Sequence, residues 1–207
     1  MGALGEPGAT ATVGVAVLVL GHVHRVPGVL DRSIQDFLEL KELGIVSSIT
    51  LVVSMDHYHD QKAYIDDVAV RGVAVVAYAE PKPVGQGYIW AQMKSLLMGL
   101  EDIPADQFVL RTRADVYIEK ELLWRLAITP EFFDLDYTNT AAASMPGTPT
   151  PVPRVFQSRV WVPWMDAAQP FWVSDEAFMG RAGDLRLLVS VDPIPCPRMF
   201  PPYNRHL

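Results

Sequence analysis

Two arginines and an aspartate stand at alternate positions in Arg111-Thr112-Arg113-Ala114-Asp115, directly after the apolar run Phe108-Val109-Leu110. Alternation puts Arg111 and Arg113 on one side of an extended segment. At the carboxyl end of a parallel strand both would face the crevice in which open α/β sheets bind ligands. A guanidinium offers a planar fork of donors that matches phosphate oxygens, so the pair suits a diphosphate. A plainer arrangement is also open, in which one of the arginines pairs with Asp115 or a neighbouring acid.

Other side chains with chemical capacity cluster in the same way. His22 and His24 follow the first apolar run, where a nucleobase or ribose would approach in this kind of fold, whereas His57 and His59, between Asp56 and Asp60, read as a solvated loop. Trp161, Trp164, Phe171 and Trp172 lie close together and suit either sugar stacking or core packing. Ser174-Asp175-Glu176 reads as the opening of a short helix that Gly180 or Gly183 would end.

The elements that must position these groups alternate between strand and helix. Val13 to Leu20 is a continuous Val/Leu run, as in a strand buried on both faces of a parallel sheet. Leu30, Ile34, Phe37 and Leu38 then recur at helical spacing; Ile49 to Val53 is a second strand; Tyr64 and Val68 mark a weaker helix before the strand Val73 to Ala77. Pro81, Pro83, Gly85 and Gly87 make a loop. After it, Ile89, Met93, Leu96, Leu97 and Leu100 form an apolar helical stripe, with Gln92, Ser95 and Gly99 on the adjoining one. That helix leads to the strand Gln107 to Leu110. Four strands with intervening helices therefore fill the first 118 residues, as in a Rossmann-like sheet. Beyond about Thr138 the chain turns Ala-rich and then Pro-rich, and Met145 to Pro153 reads as a stiff loop bordering a site.

The chain has 207 residues, half of them hydrophobic, which is enough for one domain with a substantial core. We divide it into a ligand-binding half, 1–118, and a second, more irregular half, 119–207. A formal net charge of -7 argues against nucleic acid as a partner but leaves room for a local basic pocket. Cys196 is the single cysteine, which excludes an intrachain disulfide and points to a reducing, cytoplasmic setting. The run Val13 to Leu20 is too short to span a bilayer, so any membrane association would be peripheral.

The segment after the first strand excludes several nucleotide folds. Gly21-His22-Val23-His24-Arg25-Val26 lacks the Gly-x-Gly-x-x-Gly of dinucleotide binders, and the chain has neither a P-loop nor a Gly-x-Ser-x-Gly elbow. Gly85-Gln86-Gly87 before a helix is more simply a turn than an anion site.

Three segments together resemble the WavE-like family of lipopolysaccharide-synthesis proteins, which are glycosyltransferase-like proteins related to the GT-A fold. The first is Gln92-Met93-Lys94-Ser95-Leu96-Leu97-Met98-Gly99-Leu100, although Trp90-Ala91 stands where the family often has Asn-Arg. The second is Arg111-Thr112-Arg113-Ala114-Asp115, matching the family's Lys/Arg-x-Arg-x-Asp strand end, and the third comprises Phe171-Trp172-Val173-Ser174-Asp175, Gly180 and Asp184-Leu185. They fall between residues 86 and 188, about half the chain.

The resemblance implies a GT-A-type sheet of mostly parallel strands with helices on both faces and a small irregular C-terminal region on the acceptor side. It implies transfer of a sugar from a nucleotide-sugar donor to a glycan or lipid-linked acceptor in cell-surface polysaccharide synthesis. The donor diphosphate would meet Arg111, Arg113, Gln92, Ser95 and His22, and the acceptor sugar would stack on Trp172 and Trp164. GT-A enzymes usually neutralise the diphosphate with Mg²⁺ or Mn²⁺ on an Asp-x-Asp pair. Here Arg113 takes the place of the first carboxylate, so Asp115 would hold a metal or the guanidiniums would carry that charge role. Asp175, with Glu176 as a substitute, would be the base that deprotonates the acceptor hydroxyl, although an Asp at a helix start is also an ordinary cap. Asp184 reads as a helix-start residue. The half-present carboxylate pair also fits a catalytically silent nucleotide-sugar binding or assembly protein of the same fold.

Overall fold

Every residue of Val15–Leu20 (β1) is buried, and the sheet is built outward from this strand. The computed structural model describes residues 14–23, 28–80, 89–129, 133, 156–163 and 176–190. β1 is followed by helix Val29–Glu42 (α1), strand Val46–Ser54 (β2), helices Met55–Asp60 (α2) and Lys62–Val70 (α3), and strand Ala74–Tyr78 (β3). Helix Ile89–Leu100 (α4), strand Phe108–Arg113 (β4), helix Lys120–Ile128 (α5), strand Ala177–Arg181 (β5) and helix Ala182–Val189 (α6) complete the order.

The five strands lie in the order β3-β2-β1-β4-β5. β1, β2, β3 and β4 are mutually parallel, whereas β5 runs antiparallel to β4. Alternation along β1 divides the core in two. Val15, Val17 and Val19 face Leu30, Ile34 and Phe37 of α1, Ile65 and Val68 of α3, and Leu123 and Leu126 of α5. Ala16, Leu18 and Leu20 face Leu96 and Leu100 of α4 and Leu185 of α6. Each such Val, Leu, Ile or Phe side chain contributes about 1.5–3 kcal/mol on burial, and covering both faces by helices is what an all-apolar parallel strand requires. The architecture is therefore an α/β sheet of mostly parallel strands in a Rossmann-like order with helices on both faces. The second half of the chain does not stand apart from this sheet, because β5 supplies its outer strand.

Three local expectations need correction. Met55–Asp60 is helical and not a solvated loop, because Ser54 caps it: its Oγ accepts from the backbone N–H of His57 at 3.3 Å. The run after Glu176 does not open a helix; Ala177–Arg181 pairs with β4 and the helix begins only at Ala182. Gly180 and Gly183 accordingly end nothing. A Cβ at Gly183 would lie 3.1 Å from the carbonyl oxygen of Ala105, so this glycine lets the first turn of α6 approach the loop before β4. Third, the strand bounded above as Gln107 to Leu110 runs from Phe108 to Arg113, with both arginines on it as their alternation supposes.

Asp184 does lie in the first turn of α6, where it is buried. Its carboxylate accepts from the backbone N–H of Gln157 at 2.7 Å, the N–H of Ser158 at 2.8 Å and the Ser158 hydroxyl at 2.5 Å. This fastens residues 156–163 along β5, where Trp161 bridges Met179 and packs against the core.

Helix α4 approaches the sheet closely at Gly99, where an added Cβ would stand 3.0 Å from Val52 Cγ2 and 3.1 Å from Leu18 Cδ1. Gly99→Val should therefore destabilise the fold by about 1–3 kcal/mol through overpacking. The check is the urea midpoint of the variant, with a mutation at the exposed Leu97 as control; an unchanged midpoint would contradict the close seating of α4.

Candidate functional site

The carboxyl ends of the four parallel strands and the first turns of α4 enclose a cleft of about 570 Å³. Gly21 and His22 line it after β1, Ser54 and His57 at the β2–α2 junction, and Tyr78 and Glu80 at and after β3. Gln92 and Ser95 enter from α4, and Arg111, Arg113 and Asp115 from β4 and its continuation. The position follows from topology. It lies at the carboxyl ends of neighbouring parallel strands, outside which open α/β sheets bind ligands.

Arg111 and Arg113 share a face of β4, as alternation requires, with Leu18 and Leu20 beside them in the β1 register. Arg111 is only 2% exposed. Its Nη2 donates to Gln92 Oε1 at 3.3 Å, and its guanidinium lies 5.0 Å from the ring centroid of Phe178, its register partner on β5. Arginine keeps its charge at every pH at which the protein folds, and a buried charge is tolerated only among such partners.

Arg113 is engaged fork to fork with Asp115. Nε donates to Oδ1 at 2.9 Å and Nη2 to Oδ2 at 2.8 Å, with the two side chains 22% and 11% exposed. The plainer arrangement left open by the sequence is therefore present within the cleft itself. It bears directly on a metal at Asp115. Mg²⁺ and Mn²⁺ need several oxygen ligands, yet both Asp115 oxygens accept from Arg113. Among the described residues no three His, Cys, Asp or Glu side chains gather as a ligand set. Asp115, held by Arg113, does not by itself make a ligand set for a divalent ion.

The α4 side of the cleft is held by short polar contacts. Tyr78 Oη donates to the carbonyl of Ala91 at 3.2 Å, and Ser95 Oγ donates to the carbonyl of Gln92 at 2.9 Å. Burial, assisted by the charge of Glu80 and opposed by Ser95, raises the Tyr78 phenol above the ordinary tyrosine value, so it stays a neutral donor. On the opposite side His22 and His57 meet with their Nδ1 atoms 3.3 Å apart.

The cleft thus brings together Arg111, Arg113, Gln92, Ser95, His22 and Asp115. Glu176 precedes β5, and its carbonyl accepts from the backbone N–H of Arg113 at 3.1 Å, but its side chain does not line the cleft. Asp175, Trp164, Trp172, His24, the turn at Gly85 and Gly87, the Pro-rich run and Cys196 lie outside the described residues. Sequence reasoning missed Ser54, His57, Tyr78 and Glu80. Each lies at or just beyond the end of a strand that the sequence does indicate, so applying the strand-end rule to all four parallel strands would have found them.

No protein-family model matches this chain, and no curated protein matches it. What fold and site define is an α/β protein whose cleft, at the carboxyl ends of its parallel strands, carries two arginines.

Removing either partner of the Arg113–Asp115 pair leaves a largely buried charge behind. Arg113→Ala and Asp115→Ala should each cost about 1–3 kcal/mol, and the double variant should recover part of the summed loss. Denaturant unfolding of all four proteins gives the coupling energy. Strictly additive losses would mean that the pair contributes no mutual stabilisation.

Proposed function

We propose that the protein is a glycosyltransferase of GT-A type that moves a sugar from a nucleotide-sugar donor to a glycan or lipid-linked acceptor in cell-surface polysaccharide synthesis. The observation that carries this reading is the pair Arg111 and Arg113 on one face of β4 inside a cleft at the strand ends. Fork-shaped cations at that place suit the departing diphosphate, whose negative charge grows as the glycosidic bond breaks. Gln92 and Ser95 on α4 belong to the same segment of the resemblance and line the same cleft. An antiparallel strand joined to the edge of a parallel sheet also accords with a GT-A arrangement.

In this reading Arg111 and Arg113 neutralise and orient the diphosphate, His22 contacts it, and the guanidiniums replace the metal of related enzymes. Asp175 takes the proton of the attacking hydroxyl while the sugar–phosphate bond breaks and the nucleoside diphosphate leaves. Glu176 is the substitute base, and Trp164 and Trp172 stack on the acceptor.

One observation favours a second reading. Asp115 is committed to Arg113, so the cleft of a nucleotide-sugar binding or assembly protein without turnover would look the same.

Calorimetric titration with nucleoside diphosphates of each base, with and without Mn²⁺, followed by a donor-hydrolysis assay on the same sample, separates the two. Transfer predicts binding that Mn²⁺ does not strengthen, together with slow donor hydrolysis. Arg113→Ala should weaken binding about tenfold or more, and Asp175→Asn should abolish transfer with binding retained. Binding without hydrolysis supports the silent protein; normal turnover by both variants would sink the assignment.

A further inference from the structure

Nδ1 of His22, just after β1, lies 3.3 Å from Nδ1 of His57 on α2, and the rings meet edge to face with centroids 4.6 Å apart. The backbone N–H of Val23 donates to Nε2 of His57 at 3.0 Å. A backbone amide is only a donor, so Nε2 of His57 carries no proton. A neutral imidazole has one proton, which in His57 must then sit on Nδ1, facing His22. Two ring nitrogens at hydrogen-bond distance need one donor and one acceptor, which makes Nδ1 of His22 the acceptor. The proton of His22 is thereby fixed at Nε2, on the ring edge turned away from His57. Val23, His57 and His22 form a relay in which each link sets the tautomer of the next.

Both rings line the cleft that holds Arg111 and Arg113, and Leu20, two residues before His22, is the register partner of Arg113. The geometry points to His57 as a positioning residue that fixes His22 as a hydrogen-bond donor, through Nε2, to a phosphate oxygen of a diphosphate held beside Arg113. This rests on the reading of the cleft as a diphosphate site. A metal bridging the two histidines is the rival arrangement, because two nitrogens at about 2.0–2.1 Å from one Zn²⁺ would be similarly spaced. Coordination through both Nδ1 atoms, however, would put a proton on Nε2 of His57, directly against the Val23 N–H. The observed contact selects the relay.

The relay is read directly by long-range ¹H–¹⁵N correlation spectra of the histidine-labelled full chain at about pH 8.5, where free imidazole is neutral. His57 is expected as the Nδ1–H form and His22 as the Nε2–H form. His57→Phe should return His22 to a tautomer mixture. Inorganic pyrophosphate, titrated by calorimetry, should bind about 2- to 10-fold more weakly to His57→Phe and to His22→Phe, as for the loss of one hydrogen bond. The double variant should bind no more weakly than the His22→Phe single. A wild-type His57 protonated at Nε2, fully additive losses, or conversion of His57 to the Nε2–H form by added Zn²⁺ would each overturn the proposal. If His57→Phe does not fold, the wild-type spectrum and His22→Phe still decide it. A correct tautomer pair with no pyrophosphate binding would overturn the ligand role and the diphosphate reading of the cleft together. Pyrophosphate binding with the wrong tautomer would overturn the relay alone.

Discussion

A permanent positive charge sits almost wholly buried at Arg111, and the neighbouring elements are arranged around the need to accommodate it. Its partners come from two directions. Gln92 reaches it from α4, whose approach to the sheet depends on the missing side chain at Gly99. Phe178 reaches it from β5, which must pair antiparallel with β4 to bring that ring opposite the guanidinium. Burying a charge this deeply is expensive in any protein interior, so each neighbour that lowers the cost is constrained in turn. The same constraint keeps α4, which lines the cleft with Gln92 and Ser95, close to the sheet.

The electrostatics of the cleft are mixed. Arg111 and Arg113 are accompanied by Asp115 and Glu80, and the chain as a whole carries -7. At long range a net charge of this sign and size repels anions. Recognition of a phosphate ester here would therefore rest on short, geometrically matched contacts. In the relay inferred above, Nε2 of His22 would be one donor of this kind.

Much of the layered core was legible because β1 has no polar residue and its neighbouring helices have regular apolar spacing. Four strands and the helix carrying Gln92 and Ser95 could be read from that patterning alone, and so could the shared face of Arg111 and Arg113. Tertiary pairing was not legible. Ala177–Arg181 is short and contains a glycine, so nothing local distinguishes it from a helix start, and only β4 makes it a strand. His57 was missed for a related reason: its neighbours Asp56 and Asp60 give α2 a solvated composition, and the value of its ring lies in the contact with Val23, distant in sequence. The commitment of Asp115 to Arg113 was one of two arrangements open in the sequence, and only side-chain geometry selects it.

The reversal of β5 has a topological consequence. Because β5 runs antiparallel to β4, β4 ends and β5 begins at the same end of the sheet, and between them α5 covers one face with Leu123 and Leu126. Both strand ends are fixed by pairing, while loop-closure entropy rises only slowly with added length. Related chains could lengthen or shorten the connection between Phe133 and residue 156 while α5, the buried arginine and its supports stay as they are.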